Sequence, residues 1–207
     1  MGIFDRFFGQ KTSTPAPEPF EMEPTAEMMN EDKYWTLIAE SLEYAEDDQD
    51  AQAAYLRRTL VGFDPEEIVG FRLRTDKLLY DTYASEMWCA GYIMNGGCSD
   101  DMFEYFRLWV ISRGREVYEN ARSNPDSLHS VADTKVPEGL FDFESLWYVA
   151  NEAFEQKTGK YLDDYVDHDF KFREGNYPQF DFNWTEEDPE SRRKICEKLF
   201  ERFEGHR

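Results

Sequence analysis

The sequence predicts a mainly α fold: a single globular domain of about seven helices behind a flexible N-terminal tail. Three observations carry this reading. From residue 30 onward, apolar side chains recur at helical spacing, with caps and glycine stops between the runs. No alternating strand pattern runs longer than Asp169 to Phe172 or Gln179 to Phe182. The 17 Phe, 12 Tyr and 5 Trp among 207 residues supply the apolar mass of a core, which highly charged disordered chains lack.

Residues 1–29 read as a short amphipathic tag joined to a Pro/Glu-rich linker. In the tag, Ile3, Phe4, Phe7 and Phe8 fall at helical spacing, as a docking motif or a membrane-tethered accessory segment would; Pro15, Pro17, Pro19 and Pro24 keep the linker extended. The globular domain spans 30–207. Asn30 is a candidate N-cap for a helix with Trp35, Ile38, Leu42 and Ala45 on one face. A second helix runs from about Ala51 to Val61. Asp64-Pro65-Glu66-Glu67 then supplies an N-cap, a proline at N1 and a capping-box Glu at N3. Behind it Ile68, Phe71, Leu78 and Leu79 keep helical period, and Met87 to Met94 continues as a nearly uncharged segment for the core. Asn95-Gly96-Gly97 ends that run, because glycine accepts the left-handed conformation of a helix stop. Ser99-Asp100-Asp101 opens the next helix with a hydroxyl cap and two first-turn carboxylates, followed by Phe103, Phe106 and Val110 on one face. A short helix covers Arg115 to Ala121. Asp142 caps another, with the stripe Leu146, Val149, Ala150, Ala153 and Phe154, and Asp188-Pro189-Glu190 opens a last one carrying Ile195, Leu199 and Phe203.

The 44 acidic residues against 23 basic ones leave a net charge of −21, which repels nucleic-acid phosphates and anionic lipid. The chain is therefore read as not binding nucleic acid. The longest uncharged stretch, Met87 to Ser99, is too short and too rich in glycine to span a bilayer, and no secretory signal is apparent. Cys89, Cys98 and Cys196 are odd in number and lack zinc-type spacing, which argues for a reducing compartment. The expected localisation is cytoplasmic. Acidity is concentrated at Glu31 to Asp64, nine acids against three bases, and at Lys160 to Glu190, ten against three; the final stretch from Arg192 carries six bases against three acids and is expected to pack on the acidic loop and neutralise it.

Two groups of residues can carry chemistry. Asn95, Ser99, Asp100, Asp101 and Glu104, at the start of one helix, form a candidate ligand or partner surface able to hold a cation or a partner's arginine. Asp163, Asp167 and His168 form a candidate metal set if their segment is helical, since i, i+4 spacing would align Asp163 with Asp167. Neither group contains a nucleophile paired with a base, and Cys98 is opposed by Asp100 and Asp101. No catalytic residue and no cofactor is assigned.

The run Asn95-Gly96-Gly97-Cys98-Ser99-Asp100-Asp101, then Phe103, Tyr105-Phe106-Arg107, Trp109, Ile111, Gly114-Arg115-Glu116-Val117 and Asn124-Pro125-Asp126-Ser127-Leu128, resembles the signature of a mostly bacterial family, the domain of unknown function 4240. The likeness covers about Asn30 to Thr158, leaving an acidic loop and C-terminal helix, 159–207, outside it. It implies no catalytic residue and no substrate. On the residues alone, the expected function is a non-catalytic, acidic interaction domain for a basic protein partner, of which an immunity protein or adaptor is one form. The alternatives are a metal-dependent enzyme using the carboxylate clusters and a membrane-tethered accessory protein. The oligomeric state is not specified.

Overall fold

Helix starts in this chain are set by short polar side chains satisfying the first free amides. In the computed structural model, which describes residues 20–132, 141–173 and 175–205, the Asn30 side chain accepts from the Lys33 amide at 3.1 Å and opens α1, Glu31–Ala45. Asp48 does the same for α2, Gln49–Val61. Next come α3, Pro65–Asp81; α4, Ser85–Asn95; α5, Asp100–Ser112; α6, Arg115–Ser123; α7, Glu144–Thr158; α8, Pro189–Ile195; and α9, Glu197–Phe203. Two 3-10 turns, Pro125–Ser130 and Leu162–Tyr165, complete the regular structure of the described residues. No strand occurs among them. A lone parallel bridge joins Thr25 to Val166; of the two longest alternating stretches, Asp169–Phe172 runs from a turn into a bend and Gln179–Phe182 is irregular.

The helices enclose one core in which Tyr34, Trp35 and Ile38 of α1, Phe71 of α3, Phe103, Phe106 and Val110 of α5, and Leu146 and Phe154 of α7 are buried together. Burying each such side chain stabilises the fold by about 1.5–3 kcal/mol. The α7 helix lies along α2 and α3, α5 meets α3, α4, α6 and α7, and α8–α9 rest on α4 and the first 3-10 turn.

Four local expectations are corrected. Asp64 precedes α3 without a side-chain cap bond, and Glu67 turns outward to Lys33 at 2.5 Å, where the ion pair holds its carboxyl below the usual range. Asp142 does not cap α7; Phe143 occupies that position, and the Asp142 carbonyl accepts from Gln49. The last helix is broken at Cys196. The break is stabilised from a distance, because the Asp126 carboxylate accepts from the Lys198 and Leu199 amides at 3.2 and 2.9 Å and supplies the cap that Cys196 lacks. Finally, the last helices do pack on the acidic stretch before them, Arg192 donating to the Thr185 and Glu186 carbonyls, but among the described residues their bases pair with only one of its acids, Glu190. Arg192 pairs with Glu204 at 2.7 Å, Arg193 with Glu190 and Glu201, and Arg202 donates to the carbonyls of His129 and Ala132.

The stretch 20–29, assigned by sequence to the linker, lies against the domain. Phe20 meets the Phe154 and Tyr165 rings edge-on, and Met29 donates its amide to the Gly70 carbonyl at 2.8 Å. Glycine is required at 70 by this crossing, since a β-carbon there would stand 2.9 Å from the Met29 nitrogen and 3.2 Å from the Glu27 carbonyl oxygen. Both are backbone atoms and cannot turn aside. Gly70→Ala should therefore destabilise by about 1–3 kcal/mol despite alanine's better helix propensity. Thermal unfolding checks it, and an unchanged midpoint would refute the crowding argument.

Candidate functional site

The uncharged stretch forms α4, whose Met87, Cys89, Ala90, Ile93 and Met94 are buried. Gly96, at φ 69°, caps it in the left-handed conformation, and Gly97, at φ 152°, continues the turn. Ser99 Oγ then accepts from the Met102 amide at 3.3 Å to start α5. This turn is closed from above by Trp88, whose indole N–H donates to the Cys98 carbonyl at 2.9 Å.

The candidate surface residues divide into two roles. Asn95 is buried, and its side-chain amide makes a two-way bond with the backbone of Phe141, donating at 3.3 Å and accepting at 3.2 Å, so it clamps the end of α4 to the approach to α7. Ser99 is occupied as a helix cap. Asp100, Asp101 and Glu104 instead line a cavity of about 350 Å³, whose walls are Tyr83, Trp88, Tyr105, Arg107, Gly175, Tyr177 and Gln179. Tyr83 and Tyr177 stack 4.3 Å apart at an interplanar angle of 9°. The Tyr177 hydroxyl stands 3.5 Å from a Glu104 carboxylate oxygen.

Arg107 forms the cavity floor. Its side chain is almost fully buried, with the guanidinium 4.4 Å from the Phe103 ring centre, 4.9 Å from Tyr177 and 5.0 Å from Tyr83. It donates to the Leu79 carbonyl at 2.6 Å and to the Phe103 carbonyl at 3.2 Å, placing a cation at the C-terminal end of α3, where the helix dipole favours one. Burial lowers its pKa, opposed by Tyr177 and Glu104. Burial also pushes the Tyr177 hydroxyl up to about 12. With three carboxylates around one buried guanidinium, the cavity is net acidic and offers oxygen acceptors to a cation. Cys98 is half-buried nearby, and burial, only partly offset by Arg107, raises its thiol to about 12, so it remains protonated at neutral pH.

Sequence reasoning missed Tyr83, Tyr105, Arg107, Tyr177 and Gln179. One signal was present: Arg107 stands four residues after Phe103, on the helical face that the Phe103 stripe sends into the core, and is followed by the uncharged run Leu108 to Ser112. Tyr177 had no such signal, since it reaches the site from an irregular segment far along the chain.

The candidate metal set does not assemble as a helical face. Leu162–Tyr165 is a single 3-10 turn and Val166 is extended, so the i, i+4 alignment of Asp163 with Asp167 is lost. Asp163 points to Arg72, 3.9 Å away. Asp169 stands where Asp163 was expected: ligand atoms of Asp167, His168 and Asp169 lie within 4.8 Å of one another. His168 is 89% exposed, and Asp167 accepts from the Asp169 amide in a local turn. Ile3, Phe4, Phe7 and Phe8 lie outside the described residues. Among those described, no helix is long and apolar enough to cross a membrane.

No curated protein and no solved structure matches the chain. A family model, described as a protein of unknown function (DUF4240), matches residues 29–156. The match includes Tyr83, Trp88, Asp100, Asp101, Glu104, Tyr105 and Arg107 of the cavity and ends before Gly175, Tyr177 and Gln179, which complete it. Matched over more than half of its residues, including the helix that carries the three carboxylates, the chain belongs to the DUF4240 family.

Proposed function

We propose that this protein is a non-catalytic interaction domain that receives a cationic side chain of a basic partner at the first turn of α5. The observation that carries this reading is the convergence of Asp100, Asp101 and Glu104 on one cavity walled by tyrosines and tryptophan. Carboxylates offer acceptors to an ammonium or guanidinium group, and aromatic walls favour a planar guanidinium over a compact ammonium. The net charge of −21 adds long-range attraction for such a partner. Asp100 and Asp101 also complement the dipole of α5, worth about 0.3–1 kcal/mol each. A test must therefore separate binding from helix stability.

Isotope-labelled protein titrated with a Gly-Arg-Gly peptide should show amide shifts at Asp100, Asp101, Glu104 and Tyr177, weakening as salt is added. Gly-Glu-Gly should leave them unmoved. The variant D100N/D101N/E104Q should bind the arginine peptide roughly threefold to 150-fold more weakly, the span that three screened pairs at about 0.2–1 kcal/mol each give. Absence of shifts at these residues up to millimolar peptide sinks the reading, whatever the variant does to melting.

A further inference from the structure

At the other end of α5 lies a larger opening that the acidic mouth does not use. Leu42, Trp109, Val117, Val131 and Phe141 line a cavity of about 670 Å³, bordered by Asp47, Asp48 and Asp50. It is continuous with a second depression through the shared residues Leu42, Asp47, Arg113 and Val117, where Glu43, Glu46 and Glu116 join the wall. An apolar floor under an acidic border has a definite complement. We propose that this groove docks a basic amphipathic helix of a partner protein, with apolar side chains at i, i+3 and i+4 entering the cavity and lysine or arginine residues meeting the border. The inference stands apart from the α5 mouth, which involves none of these residues.

Two features favour that occupant. First, the border's own cations are already committed. Arg113 donates to Asp47 at 3.0 Å and to Gln52 at 2.9 Å, and Arg115 pairs with Asp32 at 2.8 Å. Among the described residues, Glu43, Glu46, Asp50 and Glu116 make no ion pair, so the groove presents uncompensated negative charge to whatever enters. A second copy of this chain, equally acidic, would be repelled. Second, the border is held in shape. Glu46 and Asp47 are consecutive non-glycine residues in the left-handed region, at φ 48° and 72°, a conformation that such residues adopt only when their surroundings impose it. Glu46 takes it as the C-cap of α1, and the Arg113–Asp47 bond ties the next residue to the end of α5. Behind it, Gln52 is buried and donates to Ser41 and to the Ser112 carbonyl at 3.1 Å each, tying α1, α2 and α5 together beneath the turn. A preorganised border reduces the ordering cost of binding.

The test uses the full chain and three synthetic 14-residue peptides: an amphipathic leucine–lysine helix, the same composition scrambled so that no apolar face forms, and a leucine–glutamate helix. The leucine–lysine helix should bind, shifting the Trp109 indole and Val117 methyl resonances, and its affinity should fall at least tenfold between 50 and 300 mM salt. The other two should bind at least tenfold more weakly. E43Q/E46Q/D50N/E116Q should weaken binding at least fivefold, with binding measured well below the variant's melting temperature because Asp50 and Glu116 also sit in the first turns of α2 and α6, and Val117→Asp should weaken it through the apolar floor, whereas D100N/D101N/E104Q should leave it unchanged. Equal binding of the scrambled peptide overturns the proposal, as does binding insensitive to both groove variants. So does a groove that no peptide perturbs, including one that a concentration-dependent dimer covers.

Discussion

Replacing Arg107 with alanine should destabilise the protein by about 3–5 kcal/mol, the range for truncating a large, fully buried side chain. For a chain of this size that corresponds to roughly 6–20 °C in melting temperature. The side chain is the largest that is fully buried, and three aromatic rings surround its guanidinium, so deletion leaves a void at the junction of α3, α5 and the segment that carries Tyr177. The order within a substitution series tests the cause. Methionine nearly refills the volume and removes the cost of desolvating a charge, and the Leu79 carbonyl it abandons still accepts from the Thr82 amide and hydroxyl at 3.3 and 3.2 Å. Arg107→Met should therefore recover most of the loss, in line with buried charges replaced by apolar isosteres. Lysine keeps the desolvation cost without the planar fork that reaches Leu79 and Phe103 together, and should fall between the two. Removing one positive charge from the cavity floor should also tighten binding of the arginine peptide several-fold in Arg107→Met. Equal losses for alanine and methionine would show that the charge, rather than the volume, is what the core requires.

The parts of this architecture that could be read from sequence are those written locally. The stop at Gly96, the hydroxyl cap of Ser99 and the carboxylates behind it lie within a few residues of one another, and each follows from an unsatisfied backbone group or a helix dipole. Thus α5 and its acidic first turn were legible, but the cavity was not. Its outer wall comes from an extended stretch whose aromatic side chains climb the end of α3 and the length of α4: Phe172 on Tyr80, Tyr177 and Phe180 on Tyr83, Phe182 on Trp88, and Trp184 on Tyr92. Such a stretch has no periodicity to detect, because pairing is decided by the partner's rings and not by its own backbone. Asn95 failed as a surface candidate for a related reason: its two bonds go to Phe141, 46 positions away, and only the fold brings them together. For Asp163 and Asp167 the error was one of local geometry. The bridge from Val166 to Thr25 pulls that segment out of helix and redirects Asp163 toward Arg72.

That same arginine sets up the clearest dependence on pH. Asp76 of α3 is buried and hydrogen-bonded to Arg72 at 2.8 Å, while Arg72 also donates to Asn151 at 3.1 Å and stacks 3.9 Å from the Trp147 ring. Burial outweighs the attraction of Arg72 and, with a further push from Asp163, raises the Asp76 carboxyl from 3.8 to about 6. The folded protein therefore holds this proton more tightly than the unfolded chain does. The resulting stabilisation is fully present below pH 3.8 and is lost as pH rises to about 6, after which it is flat. A shift of that size corresponds to about 3 kcal/mol. Glu67, held low by Lys33, acts in the opposite direction. The quantity to measure is therefore the difference in unfolding free energy between the native chain and Asp76→Asn at each pH. The native chain's advantage should shrink by about 2 kcal/mol between pH 4 and 7, the rest of the change falling below pH 4. At neutral pH the variant should still be the less stable, because it leaves the Arg72 guanidinium half-compensated in a buried setting. A difference that does not vary with pH would mean that the Arg72 pair keeps Asp76 ionised throughout, with attraction rather than desolvation governing the interface of α3 and α7.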